Sequence, residues 1–417
     1  MTEDLDNPSG AKRYLPEPAA KRHGIALCLS GGGYRAALFH LGALRRLNEL
    51  GVLPRIDTIS GVSGGSILAA CLACEAGQWP KQGPIHDFDG WVGKPFRDFT
   101  TKNIRTLWFF RRLLPWNWLR STLAVESQRR RYEKDINPLE LTELPERPRF
   151  IFSATDMAFG INWISEPKRV GSYIPGYVTN PPAGWSIGRA VAASSCFPPA
   201  FAPMKTRLEA GRFKGGETPP NWENRKQLIE GLRLTDGGVY DNMGLEPVWK
   251  DHAVVLVSDG GATFDFKPDR GLLNAFKRLG RYTGIQGRQS GAMRKRWLIS
   301  NFAQGDLEGT YWGIGSGVKN YDPSFEGYDE QLVDEVVSEV RTDLDYFSDA
   351  ESAVLQNHGY LLAEAAMRCH APHLIDTNPP PAKPPFPNWM DPSKVKTSMA
   401  RSHKRRLLGR WRILAGY

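Results

Sequence analysis

The sequence predicts an α/β fold with a mainly parallel central sheet flanked by helices, and three observations carry that expectation. Residues 24–74 run strand, glycine turn, helix twice in succession, the rhythm of parallel strands joined by crossover helices. AVVLV at 253–257 has the unbroken apolar character of a strand covered on both faces. No internal repeat interrupts the order, so the 417 residues fit one large domain or two ordinary ones.

In order along the chain, residues 1–22 read as a flexible, polar arm without the character of a secretory signal. Residues 24–29 are a short β-rich run, followed by the turn Ser30-Gly31-Gly32-Gly33-Tyr34-Arg35. Leu38, Leu41, Leu44 and Leu47 then recur every three residues, with Gly51 where a helix C-cap belongs. RIDTIS at 55–60 is a second strand, leading into Gly61-Val62-Ser63-Gly64-Gly65-Ser66. That turn fits G-x-S-x-G, a nucleophile elbow in which the serine sits on a sharp strand-to-helix turn that flanking Cβ atoms would obstruct. Residues 67–76 are a small-residue helix suited to close packing behind the serine. The upstream glycine triplet can turn several N–H groups toward one point, which suits a forming oxyanion.

Residues 78–148 break the rhythm as an insertion or lid. They hold Trp79, Trp91, Trp108, Trp116 and Trp118, arginines among aromatics at 107–116, and the run Arg129-Arg130-Arg131. Two readings stay open: a membrane interface, with indoles at headgroup level and cations on anionic lipid, or an insertion whose aromatics pack on the core. RFIFSAT at 149–155 is a strand, 186–203 a small-residue helix ending in a proline-rich turn, and 204–232 a polar excursion. Residues 232–235 lead into Asp236-Gly237-Gly238-Val239-Tyr240-Asp241-Asn242, and AVVLV ends in Ser258-Asp259-Gly260-Gly261. Residues 271–297 read as a basic, partly exposed helix, 328–347 as acidic and helical, and 353–367 as a further helix. From 376 a proline-rich and then basic tail is expected to be poorly ordered, with a short amphipathic helix at 405–414.

The net charge of +9 favours anionic partners without choosing between membrane and nucleic acid; no nucleic-acid module is recognisable. Cys71 and Cys74 form a CxxC on the helix after the elbow, with no second pair to complete a zinc site. The five cysteines therefore read as free thiols in a reducing, cytoplasmic setting, and no metal or cofactor is expected. No apolar run approaches the ~18 residues of a membrane span, so any membrane contact is expected to be peripheral.

Ser63 needs a base. Of eight histidines, only His358 lies late enough for the Ser–Asp–His order, and its neighbours read as a helix start. A carboxylate in a glycine turn is the other option, provided its pKa is raised. Asp236 and Asp259 both qualify, and residue type alone leaves that choice open.

These motifs together resemble the patatin-like phospholipase family: glycine triplet with arginine, G-x-S-x-G, an alanine-serine-rich segment ending in prolines at 193–203, and a late Asp-Gly-Gly with a following asparagine. The resemblance covers about 24–262, more loosely to 367, and implies a three-layer patatin-like domain over 23–375. It selects Asp236, because DGGVYDN matches the family's motif and Asp259-Gly260-Gly261-Ala262-Thr263 does not. It implies Ser63 as nucleophile, Asp236 as base, and Gly31, Gly32 and Gly33 as oxyanion donors. Arg35, Gly61, Gly65, Gly237 and Gly238 take supporting positions. Ser30 and Ala36 depart from the common Asp and Gly and look more like the cytosolic phospholipase A2 branch. The implied activity is acyl-ester hydrolysis of membrane phospholipid or lysophospholipid at an anionic membrane surface. The alternatives are a soluble-substrate esterase or thioesterase using a Ser–Asp–His triad, and a phosphate-binding glycine loop, for which G-x-x-x-x-G-K-[ST] is missing.

Overall fold

Ten strands form one sheet in a computed structural model that describes residues 22–74, 79–80, 83–106, 122–198, 201–218, 222–261, 275–406 and 408–410. They are β1 (Ile25–Leu29), β2 (Thr58–Val62), β3 (Arg149–Asp156), β4 (Ile161–Glu166) and β5 (Arg169–Ser172). β6 (Gly176–Thr179), β7 (Met204–Lys205), β8 (Arg233–Asp236), β9 (Val254–Asp259) and β10 (Glu308–Gly313) complete it. Five strands run parallel in the order β10-β9-β1-β2-β3. Beyond β3, β4 to β6 continue as an antiparallel meander.

Among the described residues, nine helices of six residues or more surround the sheet or the segments packed on it: α1 (Gly33–Glu49), α2 (Gly64–Cys74), α3 (Lys94–Thr100), α4 (Leu123–Asp135) and α5 (Ile187–Ser194), then α6 (Arg225–Glu230), α7 (Ala275–Gln304), α8 (Asp349–His370) and α9 (Pro392–Met399). The two-residue period of the central strands splits their side chains between two cores. Leu27, Leu29 and Leu256 face the larger one, with α1, α2 and α8. Ala26, Cys28, Val255 and Val257 face the smaller one, with Met243, Leu245, Val248 and Leu298.

α1 packs along α8, which itself also packs on β10, and nearly all residues of α1 are buried. The two helices meet backbone to backbone: a Cβ on Gly42 would strike the Gln356 carbonyl, and one on Gly359 the Phe39 carbonyl. At their far end buried Arg46 donates Nε to Glu364 at 2.7 Å.

Several expectations change here. The acidic segment 328–347 has short helical turns only through Val337. Its later carbonyls hold α1 instead: Ser338 and Val340 accept from Arg35, and Asp343 from the Tyr34 N–H. A continued helix would have used those carbonyls itself. In the described part of the insertion, Phe96, Phe99 and Tyr132 are core residues, and Trp79 and Trp91 pack against the core. Arg129 pairs with Glu133 and Arg131 with Asp135, so this part follows the packing alternative. The aromatic–arginine stretch at 107–116 lies outside the described residues, as do 1–21 and 411–414. The expected tail runs over the body at 376–406, largely exposed but anchored at several points. Asn357 donates to the Phe386 carbonyl at 2.8 Å, Val395 and Met399 are buried, and the helix there is α9. Further along, the Arg410 N–H reaches Asp345 at 2.7 Å.

The helix contact gives a direct test. Gly359→Ala should lower the unfolding free energy by about 2 kcal/mol or more through overpacking, read by urea denaturation, and Gly359→Val should fail to accumulate in the soluble fraction.

Candidate active site

One edge of β3 brings the site together. On it, Ser153 pairs with Val62, the last residue of β2. The next residue, Ala154, pairs with Asp236, the last residue of β8. The opposite edge is taken by β4 across 152–156, so β8 continues the row that β2 leaves. Ser63, which follows Val62, and Asp236 thereby become spatial neighbours across 173 positions of sequence.

Ser63 stands between β2 and α2 with φ of 50°, the left-handed conformation an elbow serine is forced into. Its N–H donates to the Ser194 hydroxyl at 2.9 Å. Ser194 in turn donates to the Ser153 carbonyl and lies 2.7 Å from Ser66 Oγ. Having spent its one proton on Ser153, Ser194 accepts from Ser66. One buried hydroxyl thus ties the elbow, the start of α2 and β3 together. Gly65 passes directly over β1, where any Cβ would strike the Leu29 carbonyl, and Gly61 lies against the Ser66 backbone.

Asp236 is 2% exposed. Its Oδ1 accepts the Gly238 N–H at 2.8 Å, while Oδ2 is buried with no completed hydrogen bond among the described residues. Burial pushes its pKa up to about 7, against the Gly238 N–H and the Ser63 hydroxyl, which pull it down. Serine and carboxyl are thus neighbours short of a completed bond. Gly237 lies against the Ser153 carbonyl, leaving no room for a side chain.

The glycine triplet opens α1. The N–H groups of Gly32 and Gly33 carry no hydrogen bond among the described residues, whereas the Gly31 N–H donates to the Asn242 carbonyl at 2.9 Å. Gly31 therefore departs from the expected set of three donors: its proton is already used. Asn242 completes the bridge by donating Nδ2 to the Gly31 carbonyl at 3.3 Å, linking the glycine turn to the turn after Asp236. Gly33 has φ of 61° and approaches the Asp343 carbonyl too closely for a Cβ.

Arg35 points away from this opening. It is 2% exposed and donates to the carbonyls of Ser338, Val340 and Gly260 at 2.9–3.1 Å. Burial lowers its pKa to about 10, so it stays charged at neutral pH as a clamp on the loops behind the turn. His40 backs the same turn, with Nε2 at 3.0 Å from the Ser30 carbonyl and Nδ1 at 2.7 Å from Ser258 Oγ. Burial pushes it down to about 4, so it is neutral, donating from Nε2 and accepting at Nδ1. The sequence offered no signal for His40 in this position, Ser194 was visible only as part of the alanine-serine-rich segment, and Asn242 only as part of the aspartate motif.

The other base candidates are occupied elsewhere. His358 is buried in α8, its Nε2 bonded to the Ile314 carbonyl at 2.8 Å and its pKa lowered by burial to about 4. Asp259 accepts from Tyr311 at 2.8 Å and from the Gly261 N–H at 2.9 Å.

A family model described as Patatin-like phospholipase matches residues 27–249, more than half of the 417-residue chain. A patatin-like phospholipase domain-containing protein of Aspergillus niger is 47% identical over 57 residues, which is 14% of this chain and 7% of that protein. Human GIVD cytosolic phospholipase A2 superposes with a TM-score of 0.42 at 13% identity, over 82% of this chain and 60% of that one. VipD from Legionella pneumophila does so with a TM-score of 0.34 at 15% identity, over 85% of this chain and 68% of that one.

Asp236 also predicts a pH signature of stability. An unfolded aspartate titrates near 3.8 and the folded one near 7. Between those values the folded state holds the extra proton, so this group's contribution makes stability fall as pH rises. Asp236→Asn should therefore raise the melting temperature at pH 8 relative to wild type and change it little at pH 4, as read by calorimetry.

Proposed function

The chain belongs to the patatin-like phospholipase family, and on that premise we propose that it hydrolyses fatty-acyl esters of membrane phospholipid or lysophospholipid through a Ser63–Asp236 dyad. The observation that carries the proposal is the strained Ser63 beside a buried carboxyl whose pKa is raised to about 7, the range a general base needs at neutral pH.

In this reaction Asp236 takes the Ser63 hydroxyl proton as the oxygen attacks the ester carbonyl. The carbonyl electrons move onto oxygen, and the N–H groups of Gly32 and Gly33 stabilise that charge. Collapse of the tetrahedral species expels the alcohol, which takes its proton from Asp236 and leaves an acyl-Ser63. Water, giving its proton to Asp236, attacks the acyl carbonyl. Ser63 departs with that proton, and the fatty acid is released. The occupied rings of His40 and His358 argue against the triad alternative. The formal charge of +9 supports an anionic membrane surface as the place of action. Among the described residues no helix is long and apolar enough to cross a membrane.

Mass-spectrometric product analysis on mixed phospholipid vesicles tests the proposal. Ser63→Ala and Asp236→Asn should each reduce fatty-acid release on the order of 1000-fold or more, while His358→Gln should stay within about threefold of wild type. Loss of activity in the folded His358 variant alone would overturn the dyad. The pH profile gives a second check. The base works only deprotonated, so log kcat/KM should rise with unit slope up to about pH 7 and then level off.

A further inference from the structure

We propose that α7 is the element that docks the protein on anionic lipid, an inference that rests on the acyl-hydrolase reading and names the surface through which that site meets its substrate. The helix runs from Ala275 to Gln304 with seven Lys or Arg and no Asp or Glu. Its last third is seated on the body: Leu298 is buried in the smaller core and Trp297 packs edge-on to Trp249 at 5.1 Å. Residues 278–293 are exposed or half-exposed at every position.

Strand direction fixes which end projects. α7 leads into β10, whose first residue, Glu308, pairs with Val254 at the start of β9. The helix therefore ends at the edge of the sheet opposite the site and begins on the site's side. Arg294 marks the level of the site, because its Nη1 donates to the carbonyl of Tyr240, four residues after Asp236, at 2.6 Å. Residues 278–293 extend about 24 Å beyond that level at 1.5 Å per residue.

The chemistry of this projecting part matches one kind of partner. Leu279, Tyr282, Ile285 and Met293 are 42–61% exposed and fall within an arc of about 120° at 100° per residue, an arc they share with Arg278, Gln286, Gln289 and Arg296. Arg281, Arg288 and Lys295, spaced by sevens, line the adjacent arc. Exposed apolar side chains interleaved with and bordered by cations are what an anionic lipid interface takes up from a surface helix. A second copy of the chain would bring seven more cations against the first seven. Stability points the same way: Gly280, Gly284, Gly287 and Gly291 all face open space, and an unpacked helix with four glycines is poorly supported in water.

The test uses the full chain, with flotation on phosphatidylcholine vesicles with and without phosphatidylglycerol. Wild type should bind only the anionic vesicles, and amide exchange over 278–293 should slow on binding. Leu279→Gln/Ile285→Gln/Met293→Gln and, separately, Arg278→Glu/Arg296→Glu should each weaken partition by about tenfold or more. Release of fatty acid from those vesicles should fall in parallel, and turnover of a monomeric short-chain ester should be unchanged. Equal partition onto neutral vesicles, wild-type binding by both variants, or a solution dimer broken by the apolar triple variant would overturn the proposal. Vesicle binding by a wild type that turns over no ester would instead overturn the hydrolase reading and leave the docking surface standing.

Discussion

The architecture of the site depends on a single backbone register. Because Ser153 and Ala154 are successive on β3, the ends of β2 and β8 are successive along its edge. A slip of one residue in β8 would turn Asp236 to the other face of the sheet, since strand side chains alternate. The register is held from both sides. Thr155 donates its hydroxyl to the Asp236 carbonyl at 2.8 Å, and Gly237 sits against the Ser153 carbonyl with no room for a Cβ. Ser194, bonded to Ser153 and to the Ser63 N–H, ties the serine to the same two-residue stretch.

Around that register, polar groups divide by function. Those behind the turns are engaged: Arg35 with three carbonyls, His40 with Ser30 and Ser258, Asn242 with Gly31. Asp236 Oδ2 and the N–H groups of Gly32 and Gly33 have no partner among the described residues, nor do Arg35 Nε and Ser153 Oγ behind them, and the first three are the ones the proposed chemistry would use. α1 and α2 both begin here, so two helix N-termini add positive potential where an oxyanion would form. Donors held fixed by a packed framework need no reorganisation when charge develops, which is why such preorganisation outweighs most other contributions to rate.

Features set by local sterics were legible in the sequence. The elbow, the helix after it and the parallel strands follow from short-range patterns, because a G-x-S-x-G turn and an unbroken apolar run each allow few conformations. Features set by distant partners were not. Asp236 and Asp259 sit in near-identical Asp-Gly-Gly turns that residue type alone left unresolved. The family resemblance chose Asp236, and the physical difference is strand order, since β8 joins β3 whereas β9 joins β1 and gives its aspartate to Tyr311. The Gly31 N–H is captured by a carbonyl 211 positions away. β4 is buried at all six positions, so INWISE shows no alternation to identify it. At 338–347 a helical composition gave way because α1 needed its carbonyls.

Burial of Asp236 explains how this arrangement could work without histidine. An imidazole is useful because its pKa lies near neutrality without assistance, whereas a carboxylate must be brought there by withdrawing water. Withdrawal alone would overshoot and leave a carboxylic acid that takes up no further proton. Here the Gly238 N–H and the Ser63 hydroxyl favour the charged form and counter burial, and the balance falls at about 7. The same residue is then a burden on folding at neutral pH, because half of its population is an ion with little solvation. A chain that keeps such a group inside a fully packed sheet edge must recover that stability elsewhere. The close crossing of α1 and α8 and the large core around it, on the same face of the sheet as α2, are where this fold does so.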